Sequence, residues 1–450
     1  TQHLAMDLGQ QRAVDHLTQA AALEVDNIND TVRVITLTGH KLITGYPEGR
    51  RMWLRIEWQD ENDQVLRVDG DYGPLFDDAG QPVNVTDDSG ATVQVESIID
   101  LDASNTRIYE AHYAVTRDWA ATIAALHGPA FALSYDRLSG NVLCTVSDFL
   151  LDDTDPEKKA ACRGEHHDTF HFVLNNHVSS DNRIPPYGMR YDEAQRRNAL
   201  PVPDHQFGNP GAGGTYQYWD TVPLSPPAGA IRAVIQLLYQ GTSWEYIQFL
   251  QLANTRQNAF LGQEGEHMMD AWINADVGII NNVPIPEVLE VNGDRRMVPP
   301  VVMVSASWTA PDSDDDGVID SRDNCPAVSN LDQLDTDMDG QGDACDADDD
   351  NDGLTDIEEG TIGTNPLLAD TDGDGLSDYA EVSYDGDTTY IPGQDLNPLS
   401  TDTDNDGHDD DVDPLPLIEN FDDGDLAPLG APDGGINAGD VVIGLRIVLG

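Results

Sequence analysis

The chain has 450 residues, with 82 Asp and Glu against 23 Lys and Arg, a formal net charge of −59 at pH 7. That charge repels nucleic acid and anionic lipid surfaces, so both are poor partners, and no apolar run approaches the roughly 18 residues of a membrane span. One compact core is not expected at this length; two or three units are. The charge is uneven. Residues 311–450 hold 40 of the acids against only Arg322 and Arg446, a net of −38, and residues 1–310 hold 42 acids and 21 bases, a net of −21. A boundary is therefore expected near Pro311, with all 7 Trp before it. The chain starts at Thr1 without a leader peptide and stops inside an incomplete pattern at Gly450, so it is read as a fragment of a longer protein.

In chain order, Ala13, Leu17, Ala20 and Leu23 recur at helical spacing within residues 10–25, and residues 1–30 are read as an N-terminal helix, the tail of an upstream region. Strand patterns follow. In RMWLRIEW, Met52, Leu54, Ile56 and Trp58 alternate with Arg51, Arg55 and Glu57, as in a half-buried strand. DTVRVITL, TVQVESII, RIYEAHYAV, TFHFVLNNHV and AIRAVIQLLYQ read similarly. One late helix, SWEYIQFLQLANTR, begins at Ser243, a hydroxyl suited to cap its first turn. Many strands with Gly and Pro turns and few helices predict a mainly β fold, with a β-sandwich over residues 31–310.

The four cysteines fall as two pairs: Cys144 and Cys162 bracket a polar segment, and Cys325 and Cys345 bracket an acidic loop. No C-x-x-C occurs, so two disulfides in an oxidising compartment fit better than zinc. Glu165, His166, His167 and His171 are the one histidine group with a conceivable metal role. On a strand, however, His167 and His171 share a face and His166 lies opposite. No G-x-S-x-G, H-E-x-x-H or P-loop is present, and no catalytic residue is assigned.

The segment TGHKLITGYPEGRRMWLRI, Thr38 to Ile56, is a Gly- and Pro-punctuated turn feeding a strand, with His40, Lys41, Arg50 and Arg51 giving local positive charge. It resembles an element of the β-rich domain found downstream of the haem region in bacterial multihaem c-type cytochromes, and the resemblance extends over residues 10–310. It implies that His40 or His177 could face a neighbouring haem. The departure is that no cysteine lies in C-x-x-C-H, so haem enters only if it is attached upstream of this chain.

Five acidic loops then share one register, D-x-D-x-D-G with carboxylates three and six residues after the Gly. The first holds Asp312, Asp314, Asp316, Asp320 and Asp323; the second Asp335, Asp337, Asp339, Asp343 and Asp346. The third holds Asp348, Asp350, Asp352, Asp356 and Glu359; the fourth Asp370, Asp372, Asp374, Asp378 and Glu381; the fifth Asp402, Asp404, Asp406, Asp410 and Asp413. Alternating carboxylates converge on one centre and the Gly permits a sharp turn, a donor set suited to Ca2+ with its six to eight oxygen ligands. Only Ala347 separates the second loop from the third, which leaves no room for EF-hand helices, so metal coordination has to replace a hydrophobic core. Five Ca2+ offset ten of the 38 net charges, and the segment is read as an extended stalk holding several ions.

Asp312 to Asp346, with its D-N-C-P, N-x-x-Q and G-D-x-C elements, resembles the thrombospondin type 3 repeat. The resemblance implies a Cys325–Cys345 disulfide, Ca2+ binding, and roles in adhesion and matrix assembly. Asp352 to Val382, without Cys and with short helical spacers, resembles the bacterial form. The repeats are placed at 311–415.

At 421–450, Asp433, Gly434, Asn437 and Asp440 match the second half of a Ca2+ loop, followed by a helix with Val441, Leu445, Val448 and Leu449 on one face. This resembles half of a dockerin, with Asp425 in the place of the first ligand. The half module implies a cohesin-like partner or a second dockerin half. The leading expectation is a secreted or cell-surface bacterial calcium-binding protein with a stalk, adhesion or docking role, its other partners being surface or matrix components. The alternatives are the C-terminal part of a multihaem cytochrome in extracellular or periplasmic electron transfer, and a dockerin-bearing carbohydrate-active enzyme.

Overall fold

The computed structural model describes residues 2–418 except 43–48, 88, 129, 258–261, 276–278, 281–282, 285–287 and 290–296. The dockerin-like residues Asp425, Asp433, Asn437 and Asp440 lie outside the described residues. Contacts divide the chain into two compact units, Thr1–Ala310 and Pro311–Gly450. No described helix is long and apolar enough to cross a membrane.

In the first unit, Thr31–Thr36 pairs antiparallel with Ala21–Asp26 on one side and Trp219–Pro223 on the other, turning Val32 and Val34 into the core. Arg51–Gln59 lies inside a second, five-stranded sheet. Its neighbours are Arg232–Gln240 and Val65–Asp69, with Ile108–Tyr109 also paired to it, and Arg232–Gln240 carries Val301–Thr309 on its far edge. Registers Leu54↔Leu237, Ile56↔Ile235 and Trp58↔Ala233 place these side chains on one face. That face meets Val32 and Val34 in a single core that also takes Ala21, Met303 and Trp308. Two antiparallel sheets closed over one apolar core form a β-sandwich, and the period-two patterns are what drive it together. Trp58 and Trp308 pack edge to face at 5.2 Å, and their indole N–H groups are satisfied by Asp69 and Asp30 at 2.7 and 2.8 Å.

The first helix lies earlier than its apolar spacing predicts, running Gln2–Leu17, and Ala21–Asp26 is a strand. Leu23 fits the helical series through Ala20 and also the period-two series Ala21, Leu23 and Val25, and pairing with Thr31–Thr36 decides between them by burying Ala21 in the sandwich. TFHFVLNNHV is likewise not one strand. His166–Asp168 and His177–Asp181 both pair with Ala111–Thr116, and the residues between them turn back on His171 O. Phe172 and Val173 are left exposed, so apolar alternation there did not report a buried face. The Arg51–Gln59 strand is covered on both faces over its first half: Trp53 joins Tyr72, Ile98 and Leu238, and Arg51 is buried beside them. The helix Trp244–Ala253 starts as expected, with Ser243 accepting a hydrogen bond from the Tyr246 N–H. Cys144 and Cys162 form a disulfide inside a smaller core with Ile123, Leu133 and Phe149.

Among its described residues the second unit has no strand and two short helices, Asp356–Ile362 and Asp378–Val382. Each follows an acidic loop and is capped by a hydroxyl, Thr355 or Ser377. Leu354, Val382 and Leu396 are buried, but so are Glu359, Asp378, Glu381 and Asp395. Carboxylates therefore occupy the interior that apolar side chains would fill in an ordinary domain.

Candidate metal centres

All five loops are built alike. The Gly that follows the third Asp has φ between 99° and 109° at Gly317, Gly340, Gly353, Gly375 and Gly407, a conformation that a Cβ would strain. Its N–H donates back to the first Asp of the loop at 3.1, 3.2, 3.1, 3.0 and 2.9 Å. The residue between the second and third Asp is also left-handed in every loop, at Asp315, Met338, Asn351, Gly373 and Asn405. Together these turns bring alternate carboxylates to one side.

The Asp three residues past the Gly has a different position from the one its spacing suggests. Asp320, Asp343, Asp378 and Asp410 each accept the N–H and the hydroxyl of the second loop residue, Ser313, Thr336, Thr371 or Thr403, at 2.7 to 2.9 Å. They clamp the loop's entry to its exit. In the third loop the second residue is Asp349, whose N–H reaches Asp356 at 3.1 Å. Burial and then the Asp356 charge push the Asp349 carboxyl up to about 6.

The alternating carboxylates remain. Asp312, Asp314 and Asp316 bring ligand oxygens within 4.8 Å of one another, as do Asp335, Asp337 and Asp339, then Asp348, Asp350 and Asp352, then Asp370, Asp372 and Asp374. Buried oxygens of Asp312, Asp314, Asp335, Asp348, Asp350, Glu359, Asp372, Asp374, Glu381 and Asp404 have no hydrogen-bond partner. A protein does not bury bare carboxylate oxygens without a compensating charge. Burial first, and neighbouring acids second, push Glu359 up to about 8 and Glu381 up to about 9. The donor set is oxygen only, anionic and crowded. It fits a hard divalent cation, and the chain's residues fit Ca2+.

The D-N-C-P and N-x-x-Q elements form one network. Gln333 Oε1 accepts from Asn324 N at 3.0 Å, Gln333 Nε2 donates to Asp323 Oδ1 at 2.8 Å, and Asn330 Nδ2 donates to Asn324 Oδ1 at 2.7 Å. Cys325 and Cys345 are joined beside it, with Cα atoms 5.7 Å apart. Residues 311–333 and 334–358 match the thrombospondin type 3 repeat, and residues 348–369 and 370–386 match the bacterial TSP3 repeat. The acidic segment is built of thrombospondin type 3 repeats. These are calcium-binding repeats of extracellular type, and the fifth loop continues their register at Asp402–Asp413.

A search of the curated proteins finds no match. Among solved structures, a penta-haem cytochrome c552 from Thermochromatium tepidum aligns with a TM-score of 0.25 and 9% identity, over 66% of this chain and 41% of that one. This chain thus spans less than half of that protein's length, and a likeness at this level carries no argument.

The histidines of the first unit are turned to separate partners. His167 Nε2 is 2.9 Å from Ser134 Oγ, His171 Nε2 is 3.0 Å from Ala132 O, and burial holds both rings below the usual histidine range. His166 lies against His177, ring centroids 4.7 Å apart, a neighbour that strand alternation does not reveal. The cations of Thr38–Ile56 do not form a free positive patch either. Lys41 is paired with Asp181 at 2.6 Å and Arg51 with Glu245 at 3.1 Å.

Proposed function

We propose that this chain is part of a secreted or cell-surface bacterial protein in which a β-sandwich is joined to a calcium-dependent spacer that ends in a docking element. The observation that carries this reading is the recurrence of partnerless buried carboxylate oxygens at equivalent loop positions. Within each loop the first three Asp residues would hold the ion, with Asp323, Asp346, Glu359, Glu381 or Asp413 closing the site. Calcium supplies the positive charge that lets these oxygens stay buried and ionised. Because an unfolded acidic chain offers no preformed site, the binding free energy becomes folding free energy. Adhesion to surface or matrix components, and a cohesin-like partner for the residues around Asp433, Asn437 and Asp440, belong to the same proposal.

The test is circular dichroism and limited proteolysis of residues 311–418 with calcium and with chelator. In mild alkali, ordering and protease resistance are expected only with calcium; equal resistance in both conditions there overturns the reading.

A second reading, a haem protein of which this chain is the C-terminal part, rests on the sequence resemblance of residues 10–310, carried chiefly by the Thr38–Ile56 element. C-x-x-C-H repeats in the reading frame upstream of Thr1 would establish it, and their absence there would remove covalently attached haem.

A further inference from the structure

Ala111–Thr116 is the middle strand of a three-stranded sheet, with His166–Asp168 on one side and His177–Asp181 on the other, both antiparallel to it. Thr116 stands opposite His166, and Ala114 stands opposite both Asp168 and His177. Residues in register share a face of a sheet, as do residues two apart along a strand, so His166, Asp168 and His177 lie on one side. His167 is turned to the other side, where it is buried against Phe149.

The two outer strands of such a sheet run about 10 Å apart, yet the His166 and His177 rings meet with centroids 4.7 Å apart. They reach toward each other over the middle strand, where Ala114 and Thr116 carry only short side chains. Both histidines are exposed. Among the described residues neither ring makes a hydrogen bond or ion pair with protein, whereas His112, His167 and His171 are held by Glu110, Ser134 and the Ala132 carbonyl. Thr116 does not compete for the rings, because its hydroxyl accepts from Asn176 Nδ2 at 2.9 Å. Two accessible imidazoles in contact, with their nitrogens open, are a ligand pair for an ion that prefers nitrogen. Ca2+ takes oxygen and is excluded by that chemistry. The first unit's net charge of −21 draws cations to its surface. Asp168, on the same face, adds a nearby negative charge that His112 also feels.

We infer that His166 and His177 together bind one divalent transition-metal ion of the class that imidazole selects, Zn2+ or Cu2+, with one nitrogen from each ring and water in the open positions. The ion ties the two outer strands of this sheet to each other and closes the turn between Asp168 and His177. The inference is independent of the calcium reading, since its ligands are nitrogens in the other unit.

Electron paramagnetic resonance of the full chain with one equivalent of Cu2+ tests it, in excess Ca2+ so that the acidic loops do not take up the probe. Wild type is expected to show coupling to two imidazole nitrogens. His166→Asn and His177→Asn should each show one at most and bind Cu2+ on the order of a hundredfold more weakly, because the second ring acts at high effective concentration. His205→Asn, which removes an exposed histidine elsewhere in the same unit, should match wild type. A two-imidazole signal that persists in either of the first two variants, is missing from wild type, or is lost in His205→Asn overturns the inference. Should either variant melt below wild type, diethyl pyrocarbonate modification of wild type decides. Protection of both His166 and His177 by Cu2+ supports the site, and equal modification with and without Cu2+ overturns it.

Discussion

Arg51 Nη1 lies 3.1 Å from Glu245 Oε2, joining the central strand of the sandwich to the first turn of the helix Trp244–Ala253. Arg51 also donates to Gln240 and Ser97, and Glu245 takes a second ion pair from Arg137 at 3.2 Å. Removing Glu245 would leave the buried Arg51 without its counter-charge. Glu245→Ala is therefore expected to destabilise the first unit by about 3–5 kcal/mol, read as a lower melting temperature. Burial acts to raise the Glu245 carboxyl, but the two arginines outweigh it and hold the carboxyl below its usual range. The stability it contributes is thus present above the unfolded value of 4.5 and lost as pH falls through the folded one.

The repeats are expected to respond to pH in the opposite sense. Glu359 and Glu381 are raised to about 8 and about 9 when no cation is near. The stability of the chelated segment is therefore fullest below the unfolded value of 4.5 and declines as pH rises through those folded values. Chelated protein should resist protease better in mild acid than in mild alkali. Calcium must displace these protons, so its affinity should rise with pH over the same window, with proton release measurable by calorimetry in buffers of different ionisation enthalpy.

Thr371 Oγ1 donates to Asp378 Oδ2 at 2.7 Å and accepts from Asn365 N at 2.9 Å. Thr371→Val removes both bonds while keeping the side chain's shape. A cost of about 1–2 kcal/mol is expected, seen as a roughly ten-fold weaker calcium affinity of the fourth loop in a competition titration with a chromophoric chelator.

The Cys325–Cys345 disulfide spans 20 residues and encloses Asp335, Asp337, Asp339 and Asp343 of the second loop. Loop-closure entropy gives it about 3 kcal/mol of stabilisation. The double variant Cys325→Ser, Cys345→Ser should need more calcium to order the first two repeats, and an unreduced digest of wild type should show the linked peptides by mass spectrometry.

The sequence by itself determined the features set by local spacing. Period-two alternation in RMWLRIEW and DTVRVITL specified strands with one inward face, Ser243 marked a helix start, and the change of composition at Pro311 coincides with the division into two units. The D-x-D-x-D-G register specified the acidic loops because a five-residue turn needs only its own residues and one Gly. Tertiary structure alone decided whatever joins residues distant along the chain. It ended the first helix at Leu17 because Ala21–Asp26 gains more by pairing in a sheet, and it turned most of TFHFVLNNHV into a loop, leaving only His177 and Val178 of it in a strand. It buried Arg51 against Glu245 and half-buried Lys41 against Asp181, where spacing leaves both at the surface. It also turned Asp320, Asp343, Asp378 and Asp410 into clamps and set Glu381 beside Asp410 of the following loop. Spacing counts carboxylates, but which oxygens stay without a protein donor depends on how successive loops stack, and that is settled only when the chain is folded.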